Sequence, residues 1–444
     1  MSETEKQALY DQLSTIELDK IPPIADLEAL LKQQEADAAN QKITPLIDRV
    51  AYSSDAALVE KVRPLGLQAI QEGKVAALVL AGGQGTRLGF DHPKGMYNIG
   101  LPSGRTLFQM IVERLLRLQV LSKAEKQIPL YVMTSPINHD ETVSFFESHN
   151  CFGMNRADVI FFQQGVLPCF DTNNKIILEE PGKIAVAPDG NGGIYPSLEK
   201  SGSLADMEQR GITLVHVFAI DNSLVKPADP VYVGYCIDQN ADCGNKVCWK
   251  TDAHEKVGVV AARDNKPCVI EYSEITKEMA EQVDPTGRLV FGAGNICNHF
   301  YTLDFIKNTI LPNFGNLYHL AHKKIPYYED ATKTTVKPTS NNGVKLETFI
   351  FDVFPLSQRM AIWDVTREDE FAPVKNAPGE ASDSPDTARA AISNVAKRWV
   401  TAAGGNLTGK VDSDQCEISP LTSFAGEDLE ALVKGKDIEC PFAL

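Results

Sequence analysis

The residues best suited to chemistry lie in one run, LAGGQGTRLGFDHPKG, at positions 80–95. Glycines at 82, 83, 85 and 89 surround Arg87, and a Pro93-Lys94 pair closes the run. Glycine carries no Cβ, so backbone N–H groups in such a loop can come close to phosphate oxygens, above all where a strand runs straight into it. The apolar run VAALVL at 75–80 reads as such a strand. Register disfavours two common phosphate loops. From Gly83 the sequence is Gly-Gln-Gly-Thr-Arg-Leu-Gly, one residue too long for the dinucleotide pattern GxGxxG. The triphosphatase pattern, GxxxxGK followed by Ser or Thr, is absent because Lys94 follows Pro93 and precedes Gly95 and Met96. What remains is a loop with two cations, Arg87 and Lys94. Their spacing lets each reach a different part of a triphosphate, one the departing pyrophosphate and the other the phosphorus under attack. On spacing alone, a solvated basic turn fits the same residues.

The rest of the chain limits what can bind there. A formal net charge of -16 over 444 residues repels nucleic acid and anionic membranes, so neither is an expected partner. No apolar run approaches the roughly 20 residues of a membrane span. A phosphate ligand must therefore be held locally, by backbone N–H groups, Lys, Arg and metal. The nine cysteines form no CxxC pair, and Cys236, Cys243 and Cys248 lack zinc-site spacing, so buried free thiols are expected. The eight histidines include no HExxH, which leaves a zinc hydrolase without support. The first 40 residues are polar and lack a secretory apolar stretch, and a cytoplasmic location is expected.

The elements that must carry the loop are legible as alternating apolar runs and helices. Runs at 75–80, 130–134, 159–162 and 212–220 read as strands covered on both faces, and their alternation with helices predicts an α/β fold with a Rossmann-like, mixed but mostly parallel central sheet. Between the first two runs, Thr106 and Gln109 predict a capping box, followed by an apolar face of Leu107, Ile111, Leu115 and Leu118. Further strands are expected in VGVVAA, PCVIEYS and RLVFGAGN, around a turn at 284–287. Two polar helices, 3–18 and 25–39, form a helical N-terminal segment over residues 1–60. A central domain covers 61–377, and a polar connection near residue 377 leads to a small C-terminal domain at 378–444.

The loop is one of an ordered set of motifs. LAGGQGTRLG with PKGMY, then FFQQGVLP, APDGNGGIY, IDNSLVKPADP, VIEYSE, FGAGNICNHF, REDEFAPVKNA and CEISPLTSFAGE follow one another from about residue 60 almost to the C-terminus. In that order they resemble the eukaryotic-type UDP-N-acetylhexosamine pyrophosphorylases, which make nucleotide sugars on a nucleotide-diphospho-sugar transferase fold. The resemblance implies a uridylyltransferase that joins UTP and N-acetylglucosamine 1-phosphate to give UDP-N-acetylglucosamine and pyrophosphate, with Mg²⁺ and without a covalent enzyme intermediate. A monomer or homodimer is implied.

It also implies roles by position. Leu80, Ala81, Gly82 and Gly83 hold uridine and ribose through backbone groups, Arg87 grips the β and γ phosphates, and Lys94 touches the α-phosphate. The Gln164 amide can pair with a donor and an acceptor on uracil, and its neighbour Gln163 must then face away, since adjacent strand residues alternate. Gly190 lets the base approach and Asn191 bonds the sugar, although Asp-Gly-Asn-Gly-Gly is a strong turn in its own right. Asp221 ends the most apolar run, where a carboxylate in an open α/β sheet can hold Mg²⁺ on the nucleotide phosphates, a reading favoured over a helix cap or turn. Glu271, Tyr272 and Asn295 surround the hexosamine. Lys375 brings a cation from beyond the sheet to the sugar phosphate.

The alternatives are a relative that uses N-acetylgalactosamine, glucose or galactose 1-phosphate, and a non-catalytic nucleotide-sugar sensor. The wording GQGTRLG, PKGMY and GNGGIY favours N-acetylhexosamine, and a sensor predicts loss of Arg87, Lys94 or Asp221, all of which are present.

Overall fold

The computed structural model describes residues 1–16, 18, 21, 23–29, 32 and 41–444. Its centre is an eleven-stranded mixed sheet. Eight strands make its main path: β1 (Val50–Tyr52), β2 (Val75–Leu80), β3 (Leu130–Thr134), β4 (Val159–Gln163), β5 (Leu214–Ala219), β6 (Cys243–Trp249), β7 (Ala293–Thr302) and β8 (Met360–Val365). They lie in the order β1-β8-β6-β7-β5-β2-β3-β4. The pairs β5/β2, β2/β3 and β3/β4 are parallel, and so are β6/β8 and β1/β8. β7 runs antiparallel to both β5 and β6, which makes the sheet mixed. The mostly parallel α/β architecture read from the sequence is the one present.

Every residue of β2 is buried, because both faces of the sheet are covered. Ala77 and Val79 pack into one core with Leu107, Phe108, Ile111, Leu115 and Leu118 of the helix Leu107–Ser122. Ala76 and Leu78 point into the opposite core, with Tyr195, Leu198 and Met207. That helix starts where predicted, with Thr106 Oγ1 accepting from Gln109 N at 3.3 Å. The capping box is only half formed: no bond returns from Thr106 N to the Gln109 side chain, whose Nε2 donates to Glu113 (2.8 Å).

Other boundaries differ from the sequence reading. The first helix is Glu3–Thr15, shorter than 3–18. Of the second, 24–29 are helical and most of the remainder lies outside the described residues. RLVFGAGN contributes only its end to β7, which starts at Ala293 and continues through the polar ICNH segment, since a partner on each side satisfies its backbone. The strand expected to include Tyr272 ends at Ile270. The turn at 284–287 is present, with Gly287 N donating to Asp284 O (2.9 Å). No described helix is long and apolar enough to cross a membrane. All nine cysteines are free, Cys268 and Cys297 being half-buried and the others buried.

Two helices beneath the sheet cross at glycines. A Cβ on Gly66, in Ala56–Gln71, would lie 1.9 Å from the Pro230 carbonyl oxygen, and one on Gly234, in Pro230–Asp238, 1.9 Å from that of Val62. Backbone cannot yield as a side-chain tip can, so Gly234→Ala is expected to cost at least about 1–3 kcal/mol. The denaturant midpoint measures this; an unchanged midpoint would mean that the helices separate freely.

After β8 the chain forms the helix Pro385–Ala402 and a parallel pair, Asn406–Gly409 with Asp437–Cys440. Arg105, just before the helix Leu107–Ser122, joins this unit to the rest by bonding Glu113 (2.6 Å), Glu417 (3.1 Å) and Ser419 (3.0 Å).

Candidate active site

The C-terminal ends of β2, β3, β4 and β5 form one rim, the place where open α/β sheets bind ligands. From Leu80 the chain turns into the glycine loop. The loop is fixed at both ends by backbone bonds: Ala81 N donates to Met133 O (2.8 Å), Ile220 N to Leu80 O (3.2 Å) and Lys94 N to Gly83 O (3.2 Å). Gln84 and Pro93 form a β-bridge, closing the loop into a hairpin with Arg87 exposed at its tip. A residue outside the sequence expectations supports it from below. Asn138, fully buried, donates its amide to Ala81 O at 3.0 Å and Gly83 O at 3.5 Å. It precedes a helix and so looks like an ordinary N-cap, yet its side chain caps nothing there.

Gln164 lies against this loop. Its N donates to Thr134 O (2.7 Å) and its Nε2 to Gly190 O (3.3 Å), while its Oε1 is 2.8 Å from where a Gly82 Cβ would be. Gln163 is exposed. Gly190 has φ +86°, and a Cβ there would lie 2.2 Å from Thr348 O. Thr348 holds the whole turn, because its N and Oγ1 both donate to Asp189 O (2.8 and 2.9 Å) and its O accepts from Gly192 N (2.9 Å). Asp189 is a second residue the sequence reading missed. It is buried, its Oδ1 has no partner, and burial pushes its carboxyl up to about 7, with the Gln164 amide opposing. Asn191 Oδ1 accepts from Ile350 N at 3.0 Å, which fixes the direction of its amide.

The charged groups converge beside the base site. Lys375 Nζ is 3.9 Å from Asp221 Oδ2. Lys94 shares the field of both, and of Arg87: burial, and then Lys375 and Arg87, hold its ammonium below the usual lysine range, with Asp221 opposing. Asp383 completes the group. Its carbonyl accepts from Lys375 N (2.7 Å) and Asn376 N (2.9 Å), and burial, with Asp221 and Glu255, holds its carboxyl above its ordinary value against Lys375 and Arg367. Three cations thus face two carboxylates on an acidic protein. Such an array attracts a polyanion.

Asp221 and Lys375 meet because two segments are tied together. Val374 N donates to Asp221 O (2.8 Å), Ala372 N to Asn222 Oδ1 (3.0 Å) and Asn222 Nδ2 to Glu370 O (2.7 Å). Among the described residues, no group of three or more His, Cys, Asp or Glu side chains could cage a metal. A single carboxylate, 20% exposed at Asp221, suits an ion that takes most of its oxygens from phosphates and water.

The other residues read as sugar-binding are Glu271, Tyr272 and Asn295. Glu271 is half-buried, and burial, then Glu274 and Asp352, hold its carboxyl above its ordinary value. Asn295 sits on β7 beside an irregularity in its pairing with β6; its Oδ1 accepts from Cys297 N at 3.3 Å. Cys297 feels both Asp221 and Lys375, which places this bend next to the charged group, while burial pushes its thiol up to about 12. Tyr272 follows the strand end and is 51% exposed, outside the strand expected from PCVIEYS.

Comparison with known proteins places the whole chain in one family. The family model described as UTP–glucose-1-phosphate uridylyltransferase matches residues 27–381. UDP-N-acetylhexosamine pyrophosphorylase-like protein 1 of Xenopus tropicalis is 43% identical, over 100% of this chain and 92% of its own length. UDP-N-acetylglucosamine pyrophosphorylase of Saccharomyces cerevisiae is 45% identical, over 84% of this chain and 78% of its own. The crystal structure of uridine diphosphate N-acetylglucosamine pyrophosphorylase from Trypanosoma brucei is similar with a TM-score of 0.82 and 34% identity, over 97% of this chain and 90% of that one.

Proposed function

Because the chain belongs to the UTP–glucose-1-phosphate uridylyltransferase family, we propose that it transfers uridylyl from UTP to N-acetylglucosamine 1-phosphate, giving UDP-N-acetylglucosamine and pyrophosphate. The observation that carries this reading is the meeting of Lys94, Asp221 and Lys375 beside the Gly82, Gln164 and Gly190 pocket. The backbone of Gly82 and Gly83 holds the nucleotide, with open space where a Gly83 Cβ would be, and Gln164 reads the edge of the base; Gly190 serves the turn itself, since Thr348 O occupies the place of its Cβ. A sugar-phosphate oxygen attacks the α-phosphorus in line, and the bond to the bridging oxygen of pyrophosphate breaks. Lys375 draws the sugar phosphate in, Lys94 neutralises charge at the reacting phosphorus, and Arg87 holds the leaving group. Mg²⁺, held by Asp221, would supply charge neutralisation across the phosphates. Glu271, Asn191 and Asn295 orient the hexosamine, with Tyr272 at its exposed edge. On this reading the enzyme is cytoplasmic and works as a monomer or homodimer.

Purified protein with Mg²⁺, UTP and N-acetylglucosamine 1-phosphate is expected to release pyrophosphate in a coupled assay, with glucose 1-phosphate a poorer substrate. Release with glucose 1-phosphate alone would overturn the sugar assignment. Competition between the two N-acetylhexosamine 1-phosphates in one assay ranks them.

A further inference from the structure

Behind the charged group lies a second cluster of ions, buried at its centre on Lys246 and reaching the surface only at Lys226. Lys246, on β6, has no exposed surface. Its ammonium donates to Asp229 Oδ2 at 2.6 Å and to Glu370 Oε2. The other oxygen of Glu370 accepts from Lys226 Nζ at 3.1 Å. Asp229 in turn caps the helix Pro230–Asp238, accepting from Val231 N at 3.0 Å. Burial disfavours the charge on Lys246, yet Asp229 and Glu370 outweigh it and hold the ammonium above the usual lysine range. Asp229 is held low, mainly by Lys246 against the effect of its burial.

A buried ion cluster seldom adds stability over apolar side chains of the same volume; what it does add is direction. Here the directions coincide with the site. Lys226 and Asp229 lie on the segment that begins at Asp221, and Glu370 lies on the segment that ends at Lys375. Glu370 binds the first segment three times, by its carboxylate to Lys226, by its carboxylate through Lys246 to Asp229, and by its carbonyl to Asn222. From Glu370 only four residues lead to Lys375, and two of them, Ala372 and Val374, are bonded to Asn222 and Asp221. Little slack remains between the buried carboxylate and the catalytic ammonium.

We infer that Glu370, gripped by Lys246 and Lys226, is a positioning residue that sets Lys375 opposite Asp221 and so fixes where the sugar phosphate is presented. The inference rests on the reading of Lys375 as the cation that holds that phosphate. A role confined to stability would lower the melting point and leave the turnover of folded enzyme alone.

The test is Glu370→Gln, nearly isosteric, made in the wild-type and in a Lys375→Ala background, with kcat and both KM values measured on folded protein. In the wild-type background kcat is expected to fall about 10-fold or more while the UTP KM stays within about twofold. In the Lys375→Ala background the same change is expected to have almost no further effect, because the group it positions is gone. An unchanged kcat, or losses that multiply across the two backgrounds, would overturn the inference. Full activity of Lys375→Ala by itself would instead overturn the reading of Lys375, and the inference with it. Should Glu370→Gln fail to fold, Lys226→Met loosens the same carboxylate from its more exposed side. The expected result is then a smaller loss in kcat, about threefold, with the same non-additivity.

Discussion

Lys94→Ala is expected to lower kcat by about 10³-fold while changing UTP affinity only a few-fold, a loss of about 4 kcal/mol concentrated in the transition state. The asymmetry follows from where the charge develops. On the proposed reading Arg87, Mg²⁺ and backbone N–H groups already surround the phosphates of bound UTP, so removing one ammonium would cost the ground state little. As the sugar-phosphate oxygen attacks, charge on the oxygens around the α-phosphorus is redistributed, and a fixed cation there acts without reorganisation. The burial that lowers Lys94's proton affinity also makes its charge more effective, because little water screens it. Steady-state kinetics at saturating Mg²⁺, with UTP affinity measured separately by calorimetry, checks this. Equal losses in kcat and UTP affinity would reduce Lys94 to a binding residue. Arg87 gives the contrast: exposed at the loop tip, it would on the same reading hold pyrophosphate in the ground state as much as later.

Asp221→Ala is expected to reduce kcat by about 10²-fold and to raise the Mg²⁺ concentration needed for half-maximal activity by about 10-fold or more, with partial recovery at high Mg²⁺. A second readout separates the metal role from a merely electrostatic one. Lys375 is 3.9 Å from Asp221, so losing the carboxylate leaves that ammonium, together with Lys94 and Arg87, in a more positive pocket. UTP binding measured without metal should therefore strengthen, while metal-dependent turnover falls. Normal activity at limiting Mg²⁺ would remove the ligand assignment, and weaker metal-free UTP binding would mean that Asp221 mainly holds the loop together.

The sequence announces some of this plainly. VAALVL and LYVMT are legible as strands because burial on both faces allows no polar residue to interrupt them, and all of their residues are buried. The glycine loop is legible only together with the motifs that follow it, since by its own spacing it reads equally as a solvated basic turn. Asn138 and Asn222 are not legible. Each uses a side-chain amide on backbone groups far away in the chain, and in sequence an asparagine that bonds a distant carbonyl looks the same as one that caps a helix or makes a turn. Asp189 is hidden for a related reason: inside Asp-Gly-Asn-Gly-Gly it reads as a turn aspartate, and only folding reveals that it is buried. Lys375 is legible through resemblance alone, since loop lysines are generic until a partner is seen. Glu370 and Lys246 give no local sign, because 124 residues separate them.

The strand order has a further consequence, in the order of assembly. β2, β3 and β4 are neighbours and come early in the chain, so the nucleotide loop and Gln164 can form from the first part of the polypeptide to leave the ribosome. β8 comes last, yet it must enter between β1 and β6, pairing in parallel with both, before residues 370–375 can be delivered to the rim. A partly made chain can thus possess a cradle for the nucleotide with no cation for the second substrate. Long-range pairing of this kind is slow, and catalytic competence is acquired only when β8 has entered the sheet between β1 and β6.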